Sequence, residues 1–228
     1  MSGRVCTAWF DVSHSSAESL VDAAMVPRSD KVRARLRFYD LLATNASVEV
    51  PFREAVVAVA TTFRGVRGEV SVRMWSDSWA YATWGRDHFG WPIELAPIIL
   101  QGGFWTGDLG GTGSATLESP ALAISDLVIT EELADDAGPP MWIIPRRHLH
   151  RTETGWTEYR DVHGLVPVLA VPGHRYQGEG AVEVSSLFES IDRVTIDCAE
   201  GFELEVGLPE LLLDRAVLRW DPPEKPSP

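Results

Sequence analysis

The segment Lys31–Asp40 alternates without a break: Arg33, Arg35 and Arg37 interleave with Val32, Ala34, Leu36 and Phe38. Side chains two residues apart share a face of an extended chain, so this period predicts a strand with one apolar face and one solvated arginine face. Glu54–Phe63 and Glu69–Trp75 read as two more strands around Arg64-Gly65-Val66-Arg67-Gly68, a glycine-bearing hairpin turn. Short strand-like runs recur at Ile98–Phe104, Ala115–Leu117, Leu122–Ile129, Met141–Ile144, Leu165–Val171, Arg193–Ala199, Phe202–Val206 and Ala216–Trp220. Helices are few. One opens on Ser15-Ser16-Ala17-Glu18, where a serine cap and a glutamate three residues on satisfy free N–H groups, and it ends before Pro27. A second is capped by Ser76 or Asp77 and stops at Gly85, and a third spans Ser185–Ile191. No repeat, heptad or long linker divides the chain. The expectation is a β-rich α+β fold, a barrel or sandwich with a few short helices, forming one domain over residues 1–220 with a disordered proline-rich tail at 221–228.

Composition limits the partners. The 228 residues carry 33 acidic against 20 basic side chains, a net charge of −13, which disfavours nucleic acid and anionic membrane surfaces. Neither a secretory signal nor an apolar run of spanning length is visible, so a cytoplasmic protein is expected. Cys6 and Cys198 are too few for a disulfide framework. His148, His150, His163 and His174 match no metal-ligand spacing, and Arg146 and Arg147 would repel a cation, so no metal is expected. Glycine-rich Gly102–Gly113 lacks a Walker lysine and leads into a strand rather than a helix, which makes it a strand connection. No cofactor is implied.

Two biases carry chemical content. The only lysines are Lys31 and Lys225, an arginine skew that points to a GC-rich genome and leaves two candidates for amine chemistry. Five of the nine tryptophans, Trp75, Trp79, Trp84, Trp91 and Trp105, crowd around the turn Gly85-Arg86-Asp87-His88-Phe89-Gly90-Trp91-Pro92-Ile93-Glu94-Leu95. Charges that dense beside aromatics mark an ion-pair clasp or a reaction site in an apolar pocket.

That turn resembles the Gly-Arg-Glu-x-x-Gly-aromatic-Pro-Lys-Lys-Leu signature of acetoacetate decarboxylases. The likeness continues upstream through Pro51-Phe52-Arg53-Glu54-Ala55, the Gly65 and Gly68 turn, and Met74, Trp75 and Asp77. It is weaker at Arg4, at Met141-Trp142-Ile143-Ile144-Pro145 and at Arg215-Ala216-Val217. The resemblance implies a cone-shaped, largely antiparallel β-barrel, usually in a homo-oligomer, with its site inside the cone. It also implies a Schiff-base lysine directly after the proline. Here that position is Ile93 and the next is Glu94. An isoleucine cannot attack a carbonyl, so the family's decarboxylation is not expected.

The resemblance places Glu54 at the glutamate facing the reactive amine, Arg4 at the arginine holding the substrate carboxylate, and Arg86 at the signature arginine. Tyr39 falls at a further glutamate. Glu54, Glu94, His88 and Tyr39 are therefore the expected catalytic set, with Arg4, Arg86, Trp75, Trp84, Trp91, Ile93 and Trp105 around the substrate. A desolvated Glu54 would titrate nearer neutrality and serve as general acid or base. The expected function is a cofactor-free secondary-metabolism enzyme, a cyclase, dehydratase or isomerase for an apolar polyketide-like carbonyl compound. The alternatives are a non-catalytic small-molecule binder of the same fold, or a hydrolase or lyase using Glu54 and Glu94 on a short keto acid.

Overall fold

In a computed structural model of the chain, the described residues are 2–206 apart from 22, 24, 46–47, 64–65, 90, 103–108, 134–140, 144–147, 153–154, 160–165 and 172. Four long strands form the backbone of the fold: β1 (Ser2–Ser13), β2 (Lys31–Asn45), β3 (Val48–Phe63) and β4 (Val66–Ser76), each antiparallel to the next. Phe63 pairs with Val66, Thr62 with Arg67 and Thr61 with Gly68, so the last three residues of the expected turn belong to β4, and Arg64 and Gly65 lie outside the described residues. After α2 (Trp79–Phe89) come β5 (Ile93–Leu95), which runs parallel to β4, then β6 (Ile98–Gly102), β7 (Thr112–Leu117) and β8 (Leu122–Leu133). β9 (Met141–Ile143), β12 (Val166–Val171), β13 (His174–Glu183) and β14 (Asp192–Val206) complete the main sheet, and β10 (His148–Thr152) and β11 (Gly155–Tyr159) form a separate hairpin. Gly102 pairs with Gly113 across β6 and β7, so the glycine-rich segment connects two strands. Among the described residues, no helix is long and apolar enough to cross a membrane.

The sheet forks at β14. One edge of β14 pairs with β1, and the other pairs first with β13 and then with β12. Two glycines sit at the fork. Gly201 has a positive φ of 68°, and a Cβ on Gly173 would lie 2.0 Å from the Glu200 carbonyl oxygen. Only glycine fits that approach. From the fork, β13 leads to β8, β7 and β6, whereas β12 leads through β9 back to β4 at the pair Glu69–Ile143. The hydrogen-bonding path β1-β2-β3-β4-β9-β12-β14 thus closes on itself, the curled barrel expected from the sequence.

Both faces of the four long strands contribute buried residues. One face gives Cys6, Ala8, Phe10, Leu36, Phe38, Val57, Val59 and Trp75 to a large apolar core with residues of β6, β7 and β8. The other gives Val5, Tyr39, Leu41, Phe52, Val56, Ala58 and Met74 to a smaller core completed by Ala82, Trp91 and Ile93. The arginine face of β2 belongs to this second side, which corrects its reading as solvated. Arg35 is buried and ion-paired with Glu69, and the guanidinium carbons of Arg33, Arg35 and Arg37 lie 4.9–5.8 Å from the centre of the Trp9 ring. The burial of Arg35, with Arg33 and Arg37 half-buried beside it, is tolerable because its charge is neutralised and stacked on an aromatic ring.

The helices also differ from expectation. α1 spans five residues, His14–Glu18, and its cap is Ser13 rather than Ser15. Ser185–Ile191 makes a turn closed by bonds from the Leu187 and Phe188 amides to the Val184 carbonyl, not a helix. Burial of Phe188 edge-on against Phe10 (5.6 Å) fixes that turn. The strand-like Ala216–Trp220 and the tail at 221–228 lie outside the described residues.

Candidate active site

The site is built where α2 docks on the end of the β3–β4 hairpin. The Ser76 hydroxyl donates to the Arg53 carbonyl (2.9 Å), and Asp77 accepts from the Arg53 amide (2.7 Å). The Ser78 amide donates to the Ser76 hydroxyl (3.1 Å), and the Ser78 hydroxyl accepts from the Tyr81 amide (3.3 Å). Ser78, not Ser76 or Asp77, therefore caps α2. The helix also runs through Gly85 to Phe89 instead of stopping there. Gly85 is needed for packing: a Cβ would stand 2.5 Å from Ile93 Cδ1 and 3.0 Å from the Trp91 ring. A side chain there would have to displace the end of the buried Ile93 side chain and press on the Trp91 ring.

Docking brings Tyr81 over Glu54. The Tyr81 hydroxyl donates across both oxygens of the Glu54 carboxyl, at 3.4 Å and 3.3 Å, while its ring stacks on Phe52 at 4.2 Å. Glu54 is opposite Tyr39 on β2 and Ser76 on β4, and directly paired residues share a face of the sheet. The Tyr39 hydroxyl in turn accepts from Arg37 Nη1 at 2.9 Å. The result is one carboxyl, two phenols and one guanidinium against Phe52, Val56, Met74, Trp91 and Ile93.

The electrostatics follow from burial. Glu54 is 3% exposed, and desolvation pushes its pKa up to about 8, opposed by the Tyr81 hydrogen bond and the Arg37 charge. Burial likewise raises Tyr39, with Arg37 opposing, and raises Tyr81 well above the ordinary phenol value. At neutral pH the carboxyl is mostly protonated and both phenols remain hydrogen-bond donors.

Of the residues singled out from sequence, Glu54, Tyr39, Trp91 and Ile93 are brought together. Trp84, 38% exposed, makes an edge contact with Trp91 (6.2 Å) and a tilted one with Tyr81 (6.0 Å), at the outer end of the same aromatic cluster. Others sit elsewhere. Glu94 is exposed and ion-paired with Arg73 (3.7 Å), because β5 turns Ile93 inward and its neighbour outward. Arg4 pairs with Glu200 (3.2 Å) and is 40% exposed. Arg86 is on the exposed side of α2, and Trp75 is buried in the larger core on the opposite face of the sheet. His88 lies on α2 with its side chain outside the described residues, as is all of Trp105. His148, His150 and His163 have side chains outside them too, and His174 faces Glu132 at 3.8 Å. Sequence reasoning missed Tyr81 and Arg37. The Ser78 cap sets the helical phase that points Tyr81, Ala82 and Gly85 toward the sheet, a signal present in the sequence once the cap is correctly placed.

The closed, forked β-sheet is the fold of the acetoacetate decarboxylase-like enzymes. The enduracididine biosynthesis enzyme MppR, solved with the condensation product of pyruvate and imidazole 4-carboxaldehyde, aligns at a TM-score of 0.70 and 13% identity over 92% of this chain and 87% of that one. An acetoacetate decarboxylase-like enzyme from Sphingomonas wittichii aligns at 0.69 and 14% identity over 92% and 91%. Acetoacetate decarboxylase from Legionella pneumophila aligns at 0.60 and 14% identity over 92% and 86%. No family model and no curated protein matches the sequence.

Proposed function

We propose that the protein is a cofactor-free acid–base enzyme that moves a proton next to the carbonyl of an apolar, polyketide-like substrate, as a cyclase, dehydratase or isomerase of secondary metabolism. The observation carrying this reading is Glu54, a buried carboxyl poised near neutrality with apolar side chains and hydrogen-bond donors around it. In its ionised form Glu54 takes a proton from the carbon beside the carbonyl. The electron pair moves onto the carbonyl oxygen, which the Tyr39 hydroxyl, polarised by Arg37, holds by a hydrogen bond. The protonated carboxyl then returns the proton to a second carbon, or to a departing hydroxyl group. This chemistry needs no covalent imine, in keeping with Ile93 at the position where the resemblance expects an amine, and the buried isoleucine favours an apolar substrate. A Glu54–Glu94 pair gains no support, because Glu94 sits at the surface.

The test is deuterium wash-in from heavy water at the carbons flanking the carbonyl of methyl heptyl ketone, compared between wild type and Glu54→Gln. Wild type should accelerate exchange, and the variant should lose about 100-fold or more of that rate. Equal rates would reject acid–base catalysis by Glu54. Ketone binding without any exchange by the wild type would favour a binding protein.

A further inference from the structure

We propose that Tyr81, delivered by α2, is a positioning residue that orients the Glu54 carboxyl and favours release of its proton. Its hydroxyl spans both carboxyl oxygens, and three independent features hold it there: the stack on Phe52, the Ser78 cap one turn earlier and the glycine at position 85 that lets the helix descend. The groups that face Glu54 from the packed elements are Tyr39 and Arg37 of β2, Ser76 of β4 and Tyr81 of α2. Among them Tyr81 is hydrogen-bonded to the carboxyl itself, whereas Arg37 acts through its charge and its bond to Tyr39. Tyr81 stays protonated, so it donates, and a donor stabilises the ionised carboxylate over the neutral acid. Docking of α2 therefore tunes how readily Glu54 gives up its proton. The tuning bears on catalysis only through the acid–base role proposed above.

Tyr81→Phe deletes the hydroxyl and keeps the ring. The readout is the midpoint of the Glu54 carboxyl-carbon resonance in a pH titration of the ligand-free protein, which does not depend on any substrate. Loss of the donor should raise that midpoint by about one pH unit. A midpoint unchanged or lowered would overturn the proposal. Should the phenylalanine variant fail to fold, ring-fluorinated tyrosine incorporated at position 81 supplies a stronger donor and should lower the midpoint. An unmoved midpoint again overturns it. Failure of the wash-in test with a shifted midpoint would reject the acid–base function and leave the positioning role standing.

Discussion

Glu54 is held in a surrounding that favours its neutral form, and this has an energetic consequence. Its folded-state pKa of about 8 lies above the ordinary 4.5, so below 4.5 the carboxyl is protonated whether the chain is folded or not. Between those values only the folded state keeps the proton, and stability falls as pH rises through that window. At about 1.4 kcal/mol per pH unit the full window is worth on the order of 4–5 kcal/mol. Glu54→Gln is neutral throughout and should flatten the slope. Denaturant midpoints at about pH 5 and about pH 8 check this, and the variant should gain relative stability at the higher pH. Tyr39→Phe tests the carbonyl-holding role: wash-in should fall by about 100-fold, while the buried ring keeps the fold.

At the scale of elements, α2 and the Trp91–Ile93 turn act as a pair joined through Gly85. A glycine inside an exposed helix would ordinarily gain up to about 1 kcal/mol on replacement by alanine. Here the new methyl meets Ile93 and Trp91, so Gly85→Ala should instead lose about 1–3 kcal/mol in chemical denaturation. A stabilised variant would contradict the packing account. The same elements show what the sequence made legible. β3 and β4 were readable because Glu54–Phe63 and Glu69–Trp75 are strand formers around a glycine turn, and their observed bounds enclose both runs. β1 was not, because Val5 and Trp9 on one face are as apolar as Cys6, Ala8 and Phe10 on the other. A strand covered on both sides loses its alternation. The arginines of β2 kept their alternation but not its usual meaning. Their partners, Glu69 and Trp9, come from other strands, and no local pattern announces that pairing.

At the scale of the molecule, the resemblance at the Gly85–Leu95 turn led to the fold, and Glu54, Tyr39, Trp91 and Ile93 meet in one buried cluster. Arg4 and Arg86, which the resemblance placed at the site, and Glu94 beside Ile93 instead face outward, since neighbours in a strand or helix point in different directions. The chemistry proposed for the whole chain needs no amine. Lys31 is ion-paired with Asp192. Borohydride treatment with pyruvate should therefore leave the protein mass unchanged, and an adduct on Lys31 or Lys225 would restore Schiff-base chemistry. The central claim is that proton transfer runs through Glu54 at its displaced pKa. The most direct measurement is the pH dependence of ketone wash-in, taken as the difference between wild type and Glu54→Gln. That difference should rise with a midpoint near 8, as the carboxyl ionises to act as base. A flat difference, or a midpoint at the ordinary carboxyl value of 4.5, would contradict it.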